Sequence, residues 1–123
     1  MIMQFDGLEE FLERLERIED GKQKKINSFV AREGELLKGL VVEKTPVDTG
    51  LLRGNWKRSR VAQGKTEVFN NTEYANHVEY GHRTRSGGYV KGQKMLHRAV
   101  LEFSKTYPEH AKKVVDDILN DSD

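Results

Sequence analysis

Apolar positions recur at helical spacing over most of the chain. Leu8, Phe11, Leu12, Leu15 and Ile18 form one stripe, with Glu9, Glu10, Glu13, Arg14, Glu16 and Arg17 opposite, so a helix is predicted from Asp6 to Asp20. Asp6 with Glu9 has the form of a capping box, and Gly21 is a natural stop. A second stripe, Ile26, Phe29, Val30, Leu36, Leu37, Leu40 and Val41, predicts a longer helix over Lys22–Val42. Glu33 and Gly34 interrupt it, and Gly34 and Gly39 each cost about 1 kcal/mol relative to Ala unless they admit another element closely. Pro46 ends this helix, because the residue before proline is pushed out of the α region.

The period then changes. Residues 55–62 and 65–71, with Trp56, Val61, Val68 and Phe69 as strand formers and Gly64 between them, read as a hairpin. Tyr74–Tyr80 has the spacing of a short helix, and Gly81 closes it. Residues 81–92 hold four Gly, three Lys/Arg, one His and no acid. They read as a flexible basic loop. Met95, Leu96, Ala99, Val100 and Phe103 restore a helical stripe over Gln93–Lys105. Ala111, Val114, Val115, Ile118 and Leu119 continue it, either as a fresh helix starting near Thr106 or as one helix kinked at Pro108. Residues 120–123 are expected to fray. The predicted fold class is α+β: helices packed on one face of a small antiparallel sheet, with a long loop before the C-terminal helix. One domain over 1–123 suits the length.

Composition narrows the function. The chain has no cysteine, which excludes disulfides and thiolate metal sites. No apolar run approaches the ~20 residues of a membrane span, and the N-terminus lacks the basic and apolar regions of a signal peptide. Net charge is +1, but residues 44–98 carry eleven Lys/Arg against four Asp/Glu, leaving the flanks at −6. Such polarity suits a basic surface meeting an acidic partner or DNA.

No constellation for catalysis emerges. His77, His82, His97 and His110 do not make the two-His spacing of a helical zinc site. Glu73 and His77 read as a helix-surface pair, and Asp116-Asp117 as a solvated face. Ser59, Ser86 and Ser104 lack a nucleophile-elbow context. Gly81, Gly87, Gly88 and Gly92 match no phosphate-binding loop. No catalytic residue, metal or cofactor is expected. A nucleic-acid-binding module is the alternative reading, with Arg58 and Arg60 alternating with Trp56 as cations and stacking ring.

Thr45-Pro46-Val47-Asp48-Thr49-Gly50 is a dense turn signal. Leu52-Arg53, Trp56, Asn70, Tyr74-Ala75 and Val78-Glu79-Tyr80-Gly81 follow it in order. This ordered set resembles the tail-completion, or head–tail joining, proteins of long-tailed bacteriophages, the gene-10-type family of lambdoid phages and prophages. The tight resemblance spans Thr45–Gly81. His82 stands where that family often has Thr, and Gln93-Lys94-Met95-Leu96 where it often has a Pro-Phe motif. The resemblance implies a virion subunit made in the host cytoplasm. It also implies a homo-oligomeric, hexameric ring between the head connector or stopper and the tail tube, with non-specific contact to DNA in the channel and none to membrane. It further implies that Leu52-Arg53 and Trp56 lie on a strand. Trp56, Tyr74 and Tyr80 then pack the core, or else expose a ring contact. His82, Arg83, Arg85 and Lys91 are expected to project from the loop towards a partner or DNA.

Overall fold

The computed structural model describes residues 2–5, 20–46 and 50–120. The helix expected over Asp6–Asp20 lies almost wholly outside these, as do Val47, Asp48 and Thr49. The described elements are β1 (Ile2–Phe5), α1 (Asp20–Lys44), α2 (Gly50–Gly54), β2 (Lys57–Arg58), β3 (Thr66–Phe69), α3 (Ala75–Tyr80), β4 (Gly81–Arg83), β5 (Tyr89–Lys91) and α4 (Met95–Asn120). The class is α+β, as the periodicities predict.

Two long helices make the body. α1 turns Ile26, Phe29, Val30, Leu37 and Val41 inwards; α4 answers with Met95, Leu96, Ala99, Phe103, Ala111 and Ile118. The spacing of three and four on both helices is the stripe that two packed helices need. Pro108 neither starts nor ends a helix: α4 runs through it. Phe103, Tyr107 and Ala111 fall on one inward stripe around it, and the Tyr107 ring stacks 5.4 Å from Phe103 and lies 6.1 Å from Phe29. This packing outweighs the backbone hydrogen bond lost at the proline.

The sheet has the order β1-β3-β2, antiparallel throughout. β1 pairs Ile2 with Phe69 and Phe5 with Thr66, a strand that the sequence pattern does not reveal. β2 is shorter than expected, and an Ala62–Lys65 bridge closes the hairpin beyond it. Thr66 and Val68 point into the core. Gly34 explains how the sheet reaches α1: a Cβ there would sit 2.7 Å from Arg58 Cδ and 2.9 Å from Thr66 Cγ2. The interruption in the α1 stripe is thus a docking point.

Two further expectations are corrected. Leu52-Arg53 lie on the helical turn α2, not on a strand, because Leu52 enters the core from it. Residues 81–92 are not structureless: β4 and β5 pair as a second, two-stranded sheet, with Gly81 opposite Lys91 and Arg83 opposite Tyr89.

Candidate functional site

The ordered motif forms a set of polar staples between elements. Thr45, buried at the end of α1, donates from Oγ1 to Val41 O at 2.7 Å. The same oxygen accepts the Trp56 indole N–H at 2.9 Å. The tryptophan is therefore fully packed, 2% exposed, with its one donor satisfied. Asn70 is buried and donates to Leu52 O at 2.8 Å, while its own carbonyl accepts Thr72 N–H at 2.9 Å. These bonds tie α2, the end of β3 and the entry to α3 together. Pro46 and Arg53 are half-buried and Gly50 is exposed. Asp48 and Thr49 fall outside the described residues.

Glu79 makes the third staple. Its carboxylate is buried, which is costly without partners, and it accepts the amides of Leu96 at 2.9 Å and His97 at 3.1 Å. These belong to the first turn of α4, whose N–H groups have no partner within the helix. Lys94 occupies the cap position, since its carbonyl takes the first intrahelical bond from Arg98 N. A lysine side chain cannot accept, so α3 supplies the cap from outside. Two backbone bonds reinforce it: Gln93 N–H to Val78 O at 2.7 Å and Lys94 N–H to Glu79 O at 3.0 Å. Ala75 is buried, and Tyr74 and Val78 pack against the core. Tyr80 departs from the core expectation: it is 64% exposed, because Glu79, its neighbour on α3, takes the inward direction.

The β4–β5 hairpin rises from this base. Thr84 closes its tip: its N–H donates to Gly88 O at 2.8 Å and its hydroxyl accepts Gly88 N–H at 2.9 Å. Cross-strand partners share a face, so Gly81, Arg83, Tyr89 and Lys91 lie on one side and His82 and Val90 on the other. Arg83, Arg85 and Lys91 are exposed. His82 is not aimed outwards: its ring stacks on His77 at 5.1 Å, and its Nδ1 is buried with no hydrogen-bond partner among the described residues. Arg58 ends β2 of the other sheet, and Arg60 lies in the connection beyond it. Arg58 is engaged by Glu35 Oε1 at 2.9 Å and by Ser59 O at 2.9 Å, whereas Arg60 is exposed. The buried Trp56 offers no ring for base stacking, which removes the aromatic part of the nucleic-acid reading.

Sequence reasoning did not foresee a second buried acid. Glu33 sits inside the α1 stripe, 3% exposed, with its carboxylate 2.7 Å from His110 Nδ1 on α4. The pair borders a groove of about 390 Å³ floored by Phe29, Leu36 and Val114. Burial, with Glu33 adding to it, pushes the nearby Tyr107 phenol up to about 12. The available signal was a charged residue in mid-stripe. Among the described residues no group of three His, Cys, Asp or Glu is placed to hold a metal, and no described helix is long and apolar enough to cross a membrane.

Compared with known families, residues 9–81 match the HK97-gp10-like family, described as "Bacteriophage HK97-gp10, putative tail-component". The match takes in more than half of the 123 residues and all three staples' motif residues, and it stops at the first residue of β4. No curated protein and no solved structure matches the chain.

Proposed function

The chain belongs to the HK97-gp10-like family of bacteriophage tail components, and from that premise we propose that it is a structural virion subunit at the head–tail junction. There it forms a ring, hexameric by family resemblance, that completes the tail and meets the head connector or stopper on one side and the tail tube on the other. A ring needs one heterologous contact that closes on itself.

One observation carries this reading. Three polar side chains of the ordered motif, Thr45, Asn70 and Glu79, are turned inwards and satisfied by backbone or indole groups. A motif used up in holding the scaffold leaves function to the surface that the scaffold presents. That surface is the hairpin, where Arg83, Arg85 and Lys91 face outwards. On this reading they meet a partner protein or the DNA in the channel, His82 braces the hairpin against His77 of α3, Arg58 braces the sheet on α1, and Arg60 adds an outward cation.

The reading is tested in the phage or prophage that encodes the chain. Gold-labelled antibody against it should mark the neck of intact particles, and deletion of its gene should yield separate heads and unfinished tails. Native mass spectrometry should show a closed ring, alone or with a connector or tail-tube protein. Fully joined particles assembled without the chain would overturn it.

A further inference from the structure

The hairpin carries more than charge. Tyr89 is 65% exposed, yet it is not loose. Its hydroxyl donates to Tyr80 O at 2.9 Å, which draws the ring diagonally across Gly81. That path exists only because residue 81 has no side chain: a Cβ there would lie 2.5 Å from the Tyr89 hydroxyl and 2.4 Å from Val90 O. Gly81 also sits at φ 84°, a conformation that L side chains rarely adopt. At the other leg a Cβ on Gly92 would meet Glu79 O at 2.4 Å. The hairpin base is therefore clamped against α3, and an exposed aromatic ring is fixed in place upon it.

The surroundings of the ring are one-sided. Arg83 lies directly across from it and Lys91 two residues along, on the same face. Arg85 is at the tip, and no acid occurs from Tyr80 to Arg98. Tyr80, whose carbonyl holds the ring, adds exposed apolar surface at 64%, while Val90 lies on the opposite side of the hairpin.

We propose that this hairpin is a docking arm for an acidic protein face, with Tyr89 as its anchor and Arg83 and Lys91 as flanking charge contacts. Tyrosine and arginine dominate the energetic centres of protein interfaces, and a ring held in place before contact loses little freedom on binding. Duplex DNA would use the cations through its phosphates but would leave Tyr80 and Tyr89 without a role. A protein that presents carboxylates around an apolar spot uses both sets. The proposal rests on the tail-subunit reading only for the identity of the neighbour, not for the chemistry of the face.

The test uses the full chain and three probes at about 150 mM salt, where the Debye length is about 8 Å and attraction between more distant exposed charges is largely screened: a glutamate–tyrosine copolymer, polyglutamate, and a duplex DNA of about 24 base pairs. The copolymer should bind at least about tenfold tighter than polyglutamate and tighter than the duplex. Tyr89→Ser should lower copolymer affinity about thirtyfold, the loss expected of an interface anchor, and erase the preference over polyglutamate. Tyr89→Phe, which keeps the ring but not its tether, should retain most of it. Arg83→Gln with Lys91→Gln should weaken both polyacids. Unchanged thermal midpoints certify the fold of each variant. Equal binding by wild type and Tyr89→Ser, or preference for the duplex, would overturn the proposal. So would self-association that depends on Tyr89 without any copolymer preference. Particle labelling, which tests the tail reading, is independent of each of these results.

Discussion

Glu79 on α3 accepts the backbone amide of Leu96 on α4 at 2.9 Å, across seventeen residues of chain. The second carboxylate oxygen takes the next amide, His97, at 3.1 Å. A helix N-terminus carries partial positive charge as well as unbonded donors, so one buried acid satisfies both needs. Replacing it tests the two separately. Glu79→Gln keeps the shape but turns one acceptor into a donor facing an N–H group. It should cost about 1–3 kcal/mol, the penalty of a buried unmade hydrogen bond. Glu79→Ala should cost more, since it also opens a cavity. Urea unfolding followed at Trp56 measures both. A Glu79→Gln variant as stable as wild type would show that the cap contributes nothing.

Thr45 and Trp56 form a comparable pair, but a neutral one. Thr45→Val preserves volume and strands the indole N–H in the core, for an expected loss of about 1–3 kcal/mol. Trp56→Phe removes the donor and some packing. The double variant should lose less than the sum of the singles, because removing the donor relieves the penalty of the missing acceptor. The coupling read from the four midpoints should be about 0.5–3 kcal/mol; strict additivity would contradict the 2.9 Å bond.

The long helices and the β2–β3 hairpin are legible because burial writes a period into the sequence. Ile26, Phe29, Val30, Leu37 and Val41 announce α1, and Val68 with Phe69 announces β3. β1 left no comparable mark: Ile2-Met3-Gln4-Phe5 does not alternate apolar with polar, and its partner β3 lies far along the chain. β4 and β5 hid for a different reason. Each has three residues and five of the six are exposed or polar, so no buried face imposes alternation, and Gly81 matters through what it lets Tyr89 do. The order of the motif pieces was readable, but the tie between Glu79 and α4 was not. A capping contact between two helices depends on their relative placement, which no local window contains. Pro108 left two readings open, a fresh helix or one helix through the proline, and the inward packing of Phe103, Tyr107 and Ala111 selects the single helix.

Gly34 and Gly39 sit five residues apart on α1 and should respond to alanine with opposite signs. Nothing lies within 4 Å of a Cβ built on Gly39, so Gly39→Ala should stabilise by up to about 1 kcal/mol through helix propensity alone. A Cβ on Gly34 would press on Arg58 Cδ at 2.7 Å and on Thr66 Cγ2 at 2.9 Å. The arginine can swing aside, but only by leaving Glu35; Thr66 is buried and held by Ser59 O at 2.7 Å. Gly34→Ala should therefore destabilise by about 1–3 kcal/mol, the usual cost of overpacking, less what propensity returns. Thermal or urea melts of the two variants decide the matter. Stabilisation by both would mean that α1 and the sheet do not approach closely at Gly34.

Tyr107 predicts how stability falls at alkaline pH. Its phenol, ordinarily near 10.0, is pushed up to about 12, chiefly by burial and further by the Glu33 carboxylate. Between these values the unfolded chain releases the phenolic proton and the folded chain retains it. The folded state then binds more protons, so unfolding becomes easier as pH rises. Stability should be flat with respect to this group below pH 10, decline from about 10 to about 12, and level off above. Absorbance titration of tyrosinate should show a late step near pH 12. Tyr107→Phe should remove that late step and flatten the alkaline decline. Glu33→Gln should bring the late step down only partway, because burial is the larger cause. If the step removed by Tyr107→Phe lay near the ordinary 10.0, the Tyr107 ring could not be packed between Phe29 and Phe103 beside a buried carboxylate.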